Sequence, residues 1–366
     1  MQTPDLKSQV SNFKPNKNPK AVALLSGGLD STLAILVMKR LGVEVTAITF
    51  LTHFGCDISD SSSCSRNPFP AAEKFGFKVK LSHLADKFID IVKKPAHGHG
   101  RNMNPCIDCR ILMLREAGEY MRMSGADFLI TGEVLGQRPM SQRKETFPLI
   151  DRESGFAGYV LRPLSAKLLK PTVAETSGLI NRDSLYNFSG RSRKPQMKLA
   201  EEFGLEDYPN PAGGCLLTEP NYAWRLKELL ELTPNPTLLE LGLLRLGRHF
   251  RPSAQSPVKI IAGRDEGENS ELEKLIAPGD IYMMAGDRKS PIVLITGTDQ
   301  PDTELINLAA SICARYSRSK NQPAVKIDVF SGGKLAASVQ AAPAKEELVD
   351  ALRIQKPEKG RKVKKL

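Results

Sequence analysis

Hydrophobic and polar positions follow two rhythms along the first half of the chain. Apolar runs at 21–25 and 127–131, and β-rich stretches with interleaved polar residues at 43–50 and 77–81, have the length of strands. Between them, apolar residues recur at helical spacing over 33–41, 70–75, 83–92 and 109–123. Strands that alternate with helices predict an α/β domain with a doubly wound parallel sheet covered on both faces. Ligands of such sheets bind at the carboxyl ends of strands, where residues 26–32 and 131–133 fall. After residue 219 the rhythm changes. Two helices, 222–232 and 237–246, read as a link. Strands at 258–262, 280–284, 292–295 and 325–329, with helices at 269–275 and 302–318, predict a smaller α+β domain. The expected division is a flexible leader (1–20), a first domain (21–220), a helical linker (221–248), a second domain (249–330), and a linker with a basic tail (331–366). Small residues dominate 331–344, which reads as linker. The basic 356–365 is not expected to fold alone.

Ser26-Gly27-Gly28-Leu29-Asp30-Ser31-Thr32 joins the first strand to the first helix. Two glycines permit a sharp turn and a close approach to a ligand. Ser31 and Thr32 are expected to open the helix, whose N–H groups and dipole favour an anion. The geometry suits a phosphate. The Walker lysine is missing, and so is the third glycine of a dinucleotide fingerprint. The signature resembles the SGGxDS loop of PP-loop ATP pyrophosphatases, which cleave ATP between the α- and β-phosphates. That resemblance implies ATP binding by Ser26, Gly27, Gly28, Asp30, Ser31 and Thr32, with Asp30 helping to place Mg²⁺. An ordinary strand-to-helix turn is the plain alternative.

A net charge of +11 fits a protein that handles nucleic acid. No apolar run is long enough to span a membrane, and the polar start of the chain has no signal core. A cytoplasmic protein is therefore expected. Residues 133–142 form a long polar stretch, and long irregular segments in compact domains tend to be functional. Residues 162–172 and 190–195 are similar.

The six cysteines are unevenly spaced, which argues for metal or catalytic use over a disulfide framework. Cys106 and Cys109 form a Cys-x-x-Cys pair, expected just before a helix, where thiol pKa falls. Cys215 follows Gly213-Gly214. A redox pair, a zinc site that recruits Cys56, Cys64 or a histidine, an iron–sulfur cluster with one open iron, and a merely buried Cys215 all remain open. Cys313 sits at core spacing in its helix. Cys56 and Cys64 read as surface thiols; His97 and His99 read as ligands or RNA contacts or, as the blander and commoner case, as solvated.

Residues 26–32, Asn104-Pro105-Cys106-Ile107-Asp108-Cys109, Thr131-Gly132-Glu133, Arg162-Pro163-Leu164 and Gly213-Gly214-Cys215 come in the order found in PP-loop tRNA thiouridine synthases. Over about residues 20–220 the chain resembles the 4-thiouridine synthase catalytic domain and the tRNA 2-thiouridylases. In the simple 2-thiouridylases the position of Cys106 is an aspartate. Two cysteines here favour the iron–sulfur branch, in which a Cys-x-x-Cys pair and a distant cysteine bind a 4Fe–4S cluster. The resemblance implies that Thr131 and Gly132 join the ATP site. It implies that Asp30, Cys106, Cys109 and Cys215 carry the chemistry, and that tRNA and a sulfide or persulfide donor are the partners.

Residues 258–269, 278–283 and 314–318 resemble the NFACT RNA-binding domain. Arg248, Arg251, Lys259, Arg264, Arg315, Arg318 and Lys320 would make a basic stripe, with Arg191, Arg193 and Lys194 as a second RNA contact; a solvated charged surface is the bland reading. Two functions follow from these resemblances. One is an RNA sulfurtransferase that adenylates a uridine oxygen and replaces it with sulfur, 4-thiouridine before 2-thiouridine. The other is an amide ligase in which ammonia displaces AMP. An RNA-binding adaptor would leave the 26–32 loop without purpose. A homodimer is left open.

Overall fold

The computed structural model describes residues 18–54, 67–208, 215–286 and 290–357. Cys56, Cys64, Gly213, Gly214, most of the leader and most of the basic tail lie outside them. The chain divides into two compact units, 1–216 and 217–366.

The first unit runs β1 (Lys20–Leu24), α1 (Leu29–Arg40), β2 (Glu44–Leu51), α2 (Phe69–Phe75), β3 (Lys78–His83), α3 (Ala85–Lys93), α4 (Cys106–Ser124), β4 (Phe128–Thr131), α5 (Thr146–Ser154), β5 (Val160–Leu161), α6 (Val173–Thr176) and α7 (Lys194–Glu202). Its five strands are parallel in the order β3-β2-β1-β4-β5. This is the doubly wound sheet that the alternation predicts. The chain winds outward from β1 in both directions, so the strand order reverses between β1 and β4. A crevice opens at the carboxyl ends of strands there. Helix α1 is buried on nearly every side, from Leu33 to Met38, as expected of a helix apolar all round. Each of its buried Leu and Ile side chains contributes about 1.5–3 kcal/mol. That anchorage fixes the turn that precedes it.

The second unit runs α8 (Pro220–Leu232), α9 (Leu238–Leu243), β6 (Arg248–Phe250), β7 (Lys259–Ala262), α10 (Glu266–Lys274), β8 (Ile281–Ala285), β9 (Val293–Thr296), α11 (Thr303–Tyr316), β10 (Val325–Ser331), β11 (Lys334–Ala341) and α12 (Glu346–Leu352). Its antiparallel sheet has the order β11-β10-β8-β9-β7-β6. Two expectations are corrected here. The 221–248 helices are part of this unit: Leu243 of α9 packs with Ile261, Leu272 and Leu294, and Glu228 of α8 pairs with the buried Lys259 at 3.2 Å. Residues 331–344 are not linker but the turn and second strand of a hairpin. Gly332 and Gly333 both have positive φ, 55° and 76°, as a tight hairpin turn requires. Cys313 is fully buried, as its helical spacing predicts.

Candidate active site

At the end of β1 the chain turns through Gly27, φ +70°, and α1 begins at Leu29 with Gly28 as its N-cap. The helix thus starts two residues earlier than expected, and Ser31 and Thr32 lie inside its first turn. Their hydroxyls donate to the Gly28 carbonyl at 2.9 and 3.1 Å. Ser31 Oγ also accepts from the Ser26 N–H at 3.3 Å. No side chain caps the helix start, so its first N–H groups point into the turn without a side-chain acceptor. Thr131 and Gly132 arrive from β4. A Cβ on Gly132 would sit 2.4 Å from Ser31 N and 2.5 Å from the Asp30 carbonyl. Only glycine lets β4 press so closely on the turn.

Asp30 is the unusual member. Its Oδ2 accepts from Gln137 Nε2 at 3.0 Å, but Oδ1 is buried without a partner. Burial raises its pKa, against the Gln137 hydrogen bond and the charges of Arg193 and Arg138. Gln196 of α7 lies against it, fully buried, with both amide atoms unpartnered. Each such group costs about 1–3 kcal/mol. An unpartnered carboxylate oxygen beside uncapped N–H groups fits a magnesium–phosphate ligand. Arg193, expected as an RNA contact, therefore faces the 26–32 turn, while Arg191 and Lys194 are exposed beside it.

Cys106 and Cys109 lie in the first turn of α4 rather than ahead of it. At i, i+3 they share one face, both half-buried. Cys106 Sγ donates to Ser141 Oγ at 3.2 Å, and Cys109 Sγ lies 3.9 Å from Met113 Sδ. Asp108 accepts the N–H groups of Ala96 and His97, both at 3.1 Å, and pairs with His97 Nδ1 at 3.1 Å. His97 Nε2 is 3.3 Å from Glu153. The Asp108 hydrogen bond raises the His97 pKa against the effect of burial. His97 is therefore a clamped side chain, contrary to expectation, and His99 Nε2 meets the Val92 carbonyl at 2.8 Å. Cys215 is half-buried after the undescribed 209–214. Among the described residues no three His, Cys, Asp or Glu gather as a metal site. The Cys106–Cys109 pair is formed at the start of α4.

One loop joins these two places. Residues 133–142 fold back on themselves, Gly136 N–H to Gln142 carbonyl at 2.7 Å. Gln137 reaches Asp30, and Ser141 reaches Cys106. Beneath the loop, Glu133 accepts from Thr131 Oγ1 at 3.2 Å and Arg162 Nε at 3.0 Å, and Arg110 Nε lies 3.4 Å away. Arg162 also makes two bonds to Asp151, at 2.9 and 2.7 Å. Gln137, Gln196 and Asp151 were not legible as site or scaffold residues. The only signal for the first was the length of the polar stretch.

In the second unit, Arg251 and Lys259 leave the expected stripe. Both are engaged with Glu228. Arg264 pairs with Glu268, and Arg315 with Glu346 at 2.7 Å. Arg248 lies over the Tyr316 ring, and Arg318 and Lys320 are exposed.

Comparison with known proteins agrees with both halves. Residues 17–176 match the family model of the thiamine biosynthesis protein ThiI, and residues 247–353 that of the NFACT protein RNA binding domain. The chain thus carries a ThiI-type PP-loop domain followed by an NFACT-type RNA-binding domain. The tRNA-specific 2-thiouridylase MnmA of Pseudomonas fluorescens is 23% identical over 241 residues, 63% of this chain and 60% of its own. The "Probable tRNA sulfurtransferase" of Thermococcus kodakarensis is 29% identical over 40% of this chain and 36% of its own. The chain spans about three fifths of the first relative and about a third of the second. Among solved structures, the U34-tRNA thiolase NcsA from Methanococcus maripaludis, described with its 4Fe-4S cluster, is 17% identical, covers 65% of this chain and 74% of its own, and has a TM-score of 0.30. Among the described residues no helix is long and apolar enough to cross a membrane.

Proposed function

We propose that the chain is an ATP-dependent tRNA sulfurtransferase. ATP activates a uridine carbonyl oxygen as an adenylate, and sulfur then displaces AMP. The observation that carries this reading is the 133–142 loop, which meets Asp30 with Gln137 and Cys106 with Ser141. A nucleotide turn and a thiol pair tied by one loop suit a reaction in which activation and sulfur delivery occur at one base. An amide ligase shares the first step but has no use for the thiols.

In this reading the N–H groups of the 26–32 turn, with Ser26, Ser31 and Thr32, bind the departing pyrophosphate. Asp30 orients Mg²⁺, which when bound neutralises the phosphate charge. Gly132 closes the wall behind them. Cys106, Cys109 and Cys215 handle the sulfur. The first two suit adjacent thiolate ligands, since a helix N-terminus favours the thiolate. With Cys215 they would hold a 4Fe–4S cluster, which supplies a binding place for incoming sulfide. The metal-free alternative puts a persulfide on Cys215, with Cys109 as the resolving thiol. The second domain holds tRNA, and 4-thiouridine is the product.

Nucleoside mass spectrometry of tRNA, with and without the protein, tests the reading: a 4-thiouridine signal that depends on the protein and on ATP is expected. No thiolated uridine lost on deletion overturns it. Iron and sulfide analysis after anaerobic purification separates the two sulfur schemes. Cys106→Ala should lose iron, colour and thiolation together if the cluster is present, and a colourless, iron-free protein thiolating at full rate excludes it.

A further inference from the structure

The second unit gathers four arginines around one tyrosine and one turn. Arg248 of β6 holds its guanidinium 4.5 Å from the centre of the Tyr316 ring. Arg353, just after α12, donates to the Tyr316 hydroxyl, whose own proton stays available to an acceptor. Arg225 of α8 donates to the carbonyls of Leu244 and Gly247, at 3.0 and 3.1 Å. The Gly247 N–H is held by Glu268 at 3.1 Å, and Glu268 pairs with Arg264, whose Nε is 2.7 Å away. Residues 247 and 248 thus bring all four side chains into one neighbourhood.

That neighbourhood is short of negative charge. Glu219 and Glu268 act on Arg225 and Asp265 on Arg264, three carboxylates against four guanidinium groups. Burial and then the charges of Arg264 and Arg353 push the Arg225 pKa down to about 10. Burial, Arg353 and Arg264 lower that of Arg248. The Nε atoms of Arg225 and Arg353 are buried without a partner. A fold that holds like charges together and leaves two of their donors unused suits an anion, and planar forked donors match the oxygens of a phosphate.

We propose that Arg225, Arg248, Arg264 and Arg353, gathered at Tyr316 and Gly247, bind a phosphate group, and that this phosphate belongs to the backbone of the bound tRNA. The proposal rests on the tRNA reading above. It differs from a basic stripe in kind. A stripe spreads charge over a surface, whereas this pocket takes one phosphate and fixes the register of the strand. Arg225 and Arg353 lie outside the stripe that the sequence suggests.

The test uses the full chain. Binding of tRNA is measured across a salt series for wild type, Arg264→Gln, Arg353→Gln and, as a control, Lys227→Gln on the exposed side of α8. Each pocket variant should lose about threefold to tenfold in affinity at physiological salt, and its log–log salt slope should flatten by about one. Lys227→Gln should match wild type. Thermal melts with inorganic phosphate form the second arm: phosphate should raise the melting temperature of wild type and not of the variants. Arg264 is the most exposed of the four, so its variant keeps the Tyr316 packing and stays folded. Affinity and slope within twofold of wild type, with no phosphate-dependent stabilisation, overturn the pocket. Phosphate stabilisation lost in the variants with tRNA binding untouched overturns the RNA assignment and gives the pocket to a free phosphate-bearing molecule. A wild type that binds no tRNA refutes the proposed function instead, and the phosphate melts still decide whether the pocket exists.

Discussion

Two buried polar networks start from neighbouring residues at the end of β4, and they differ in one respect. Around Arg162 the charges are matched, although Glu133 Oε1 has the Arg110 ion pair at 3.4 Å and no hydrogen bond. Arg162 is 3% exposed, bonded to Glu133 and twice to Asp151, and its guanidinium lies 4.0 Å from the centre of the Phe147 ring. Burial would lower its pKa, but the carboxylates outweigh burial and hold it above the usual value. Around Asp30 the network is incomplete: one carboxylate oxygen and a whole glutamine amide lack partners. Gly132 touches the Asp30 network, and Glu133, the next residue, anchors the charge-matched one. The first is scaffold. The second stores unmet hydrogen-bonding capacity, which a protein keeps where a ligand supplies the missing partner.

The largest effect should come from breaking the charge-matched network. Arg162→Met keeps much of the side-chain volume but leaves Glu133 and Asp151 buried without their cation. Removing one partner of a buried pair costs about 3–5 kcal/mol, so urea denaturation should show that loss and the melting temperature should fall by many degrees. A variant as stable as wild type would mean that these carboxylates simply take up protons, and that the pairing contributes little.

Breaking the incomplete network should do the opposite to stability. Asp30→Asn is nearly isosteric and removes a carboxylate whose pKa burial has raised. A raised carboxyl pKa costs the folded state stability once pH rises past the ordinary carboxylate range, so at neutral pH the variant should be as stable as wild type or more so. Turnover, followed as tRNA-dependent release of AMP and pyrophosphate, should fall about a hundredfold to a thousandfold. Release of ADP and phosphate by wild type would remove the basis of this expectation. So would an Asp30→Asn protein that is inactive only because it has unfolded.

The contrast also explains what could be read from sequence. The 26–32 turn was legible because its chemistry is local, with two glycines, a carboxylate and three hydroxyls in seven residues. The parallel sheet was legible because the apolar β1 and β4 and the alternating β2 fall between stretches of helical spacing. Gln137, Gln196 and Asp151 were not, because a glutamine or aspartate in a polar stretch looks solvated until the fold buries it. The β10–β11 hairpin was missed for another reason. Small residues at 331–344 suggested a linker, yet Gly332-Gly333 is itself a turn signal, and an edge strand needs backbone pairing more than bulky side chains. Arg225 and Arg353 were invisible as partners because elements more than a hundred residues apart bring them together.

The smallest effect sharpens the comparison with a pair of intermediate kind. His97 lies between Asp108 and Glu153 near the surface, its side chain 20% exposed. Its folded pKa is raised above the ordinary imidazole value, first by the Asp108 hydrogen bond. The stability that this pairing adds is fully present below the unfolded imidazole pKa, and it is lost as pH rises through the higher folded value. His97→Gln should therefore be less stable than wild type near pH 6, by under about 1 kcal/mol for a pair this close to solvent. The gap should close by pH 9. Urea denaturation of both proteins at the two pH values measures it. A gap that stays constant with pH would show that His97 acts only as a neutral hydrogen-bonding partner of Asp108. In that case the loop at 96–97 is held to the Cys106–Cys109 turn by two backbone N–H groups and a neutral imidazole, with no cation in the clamp.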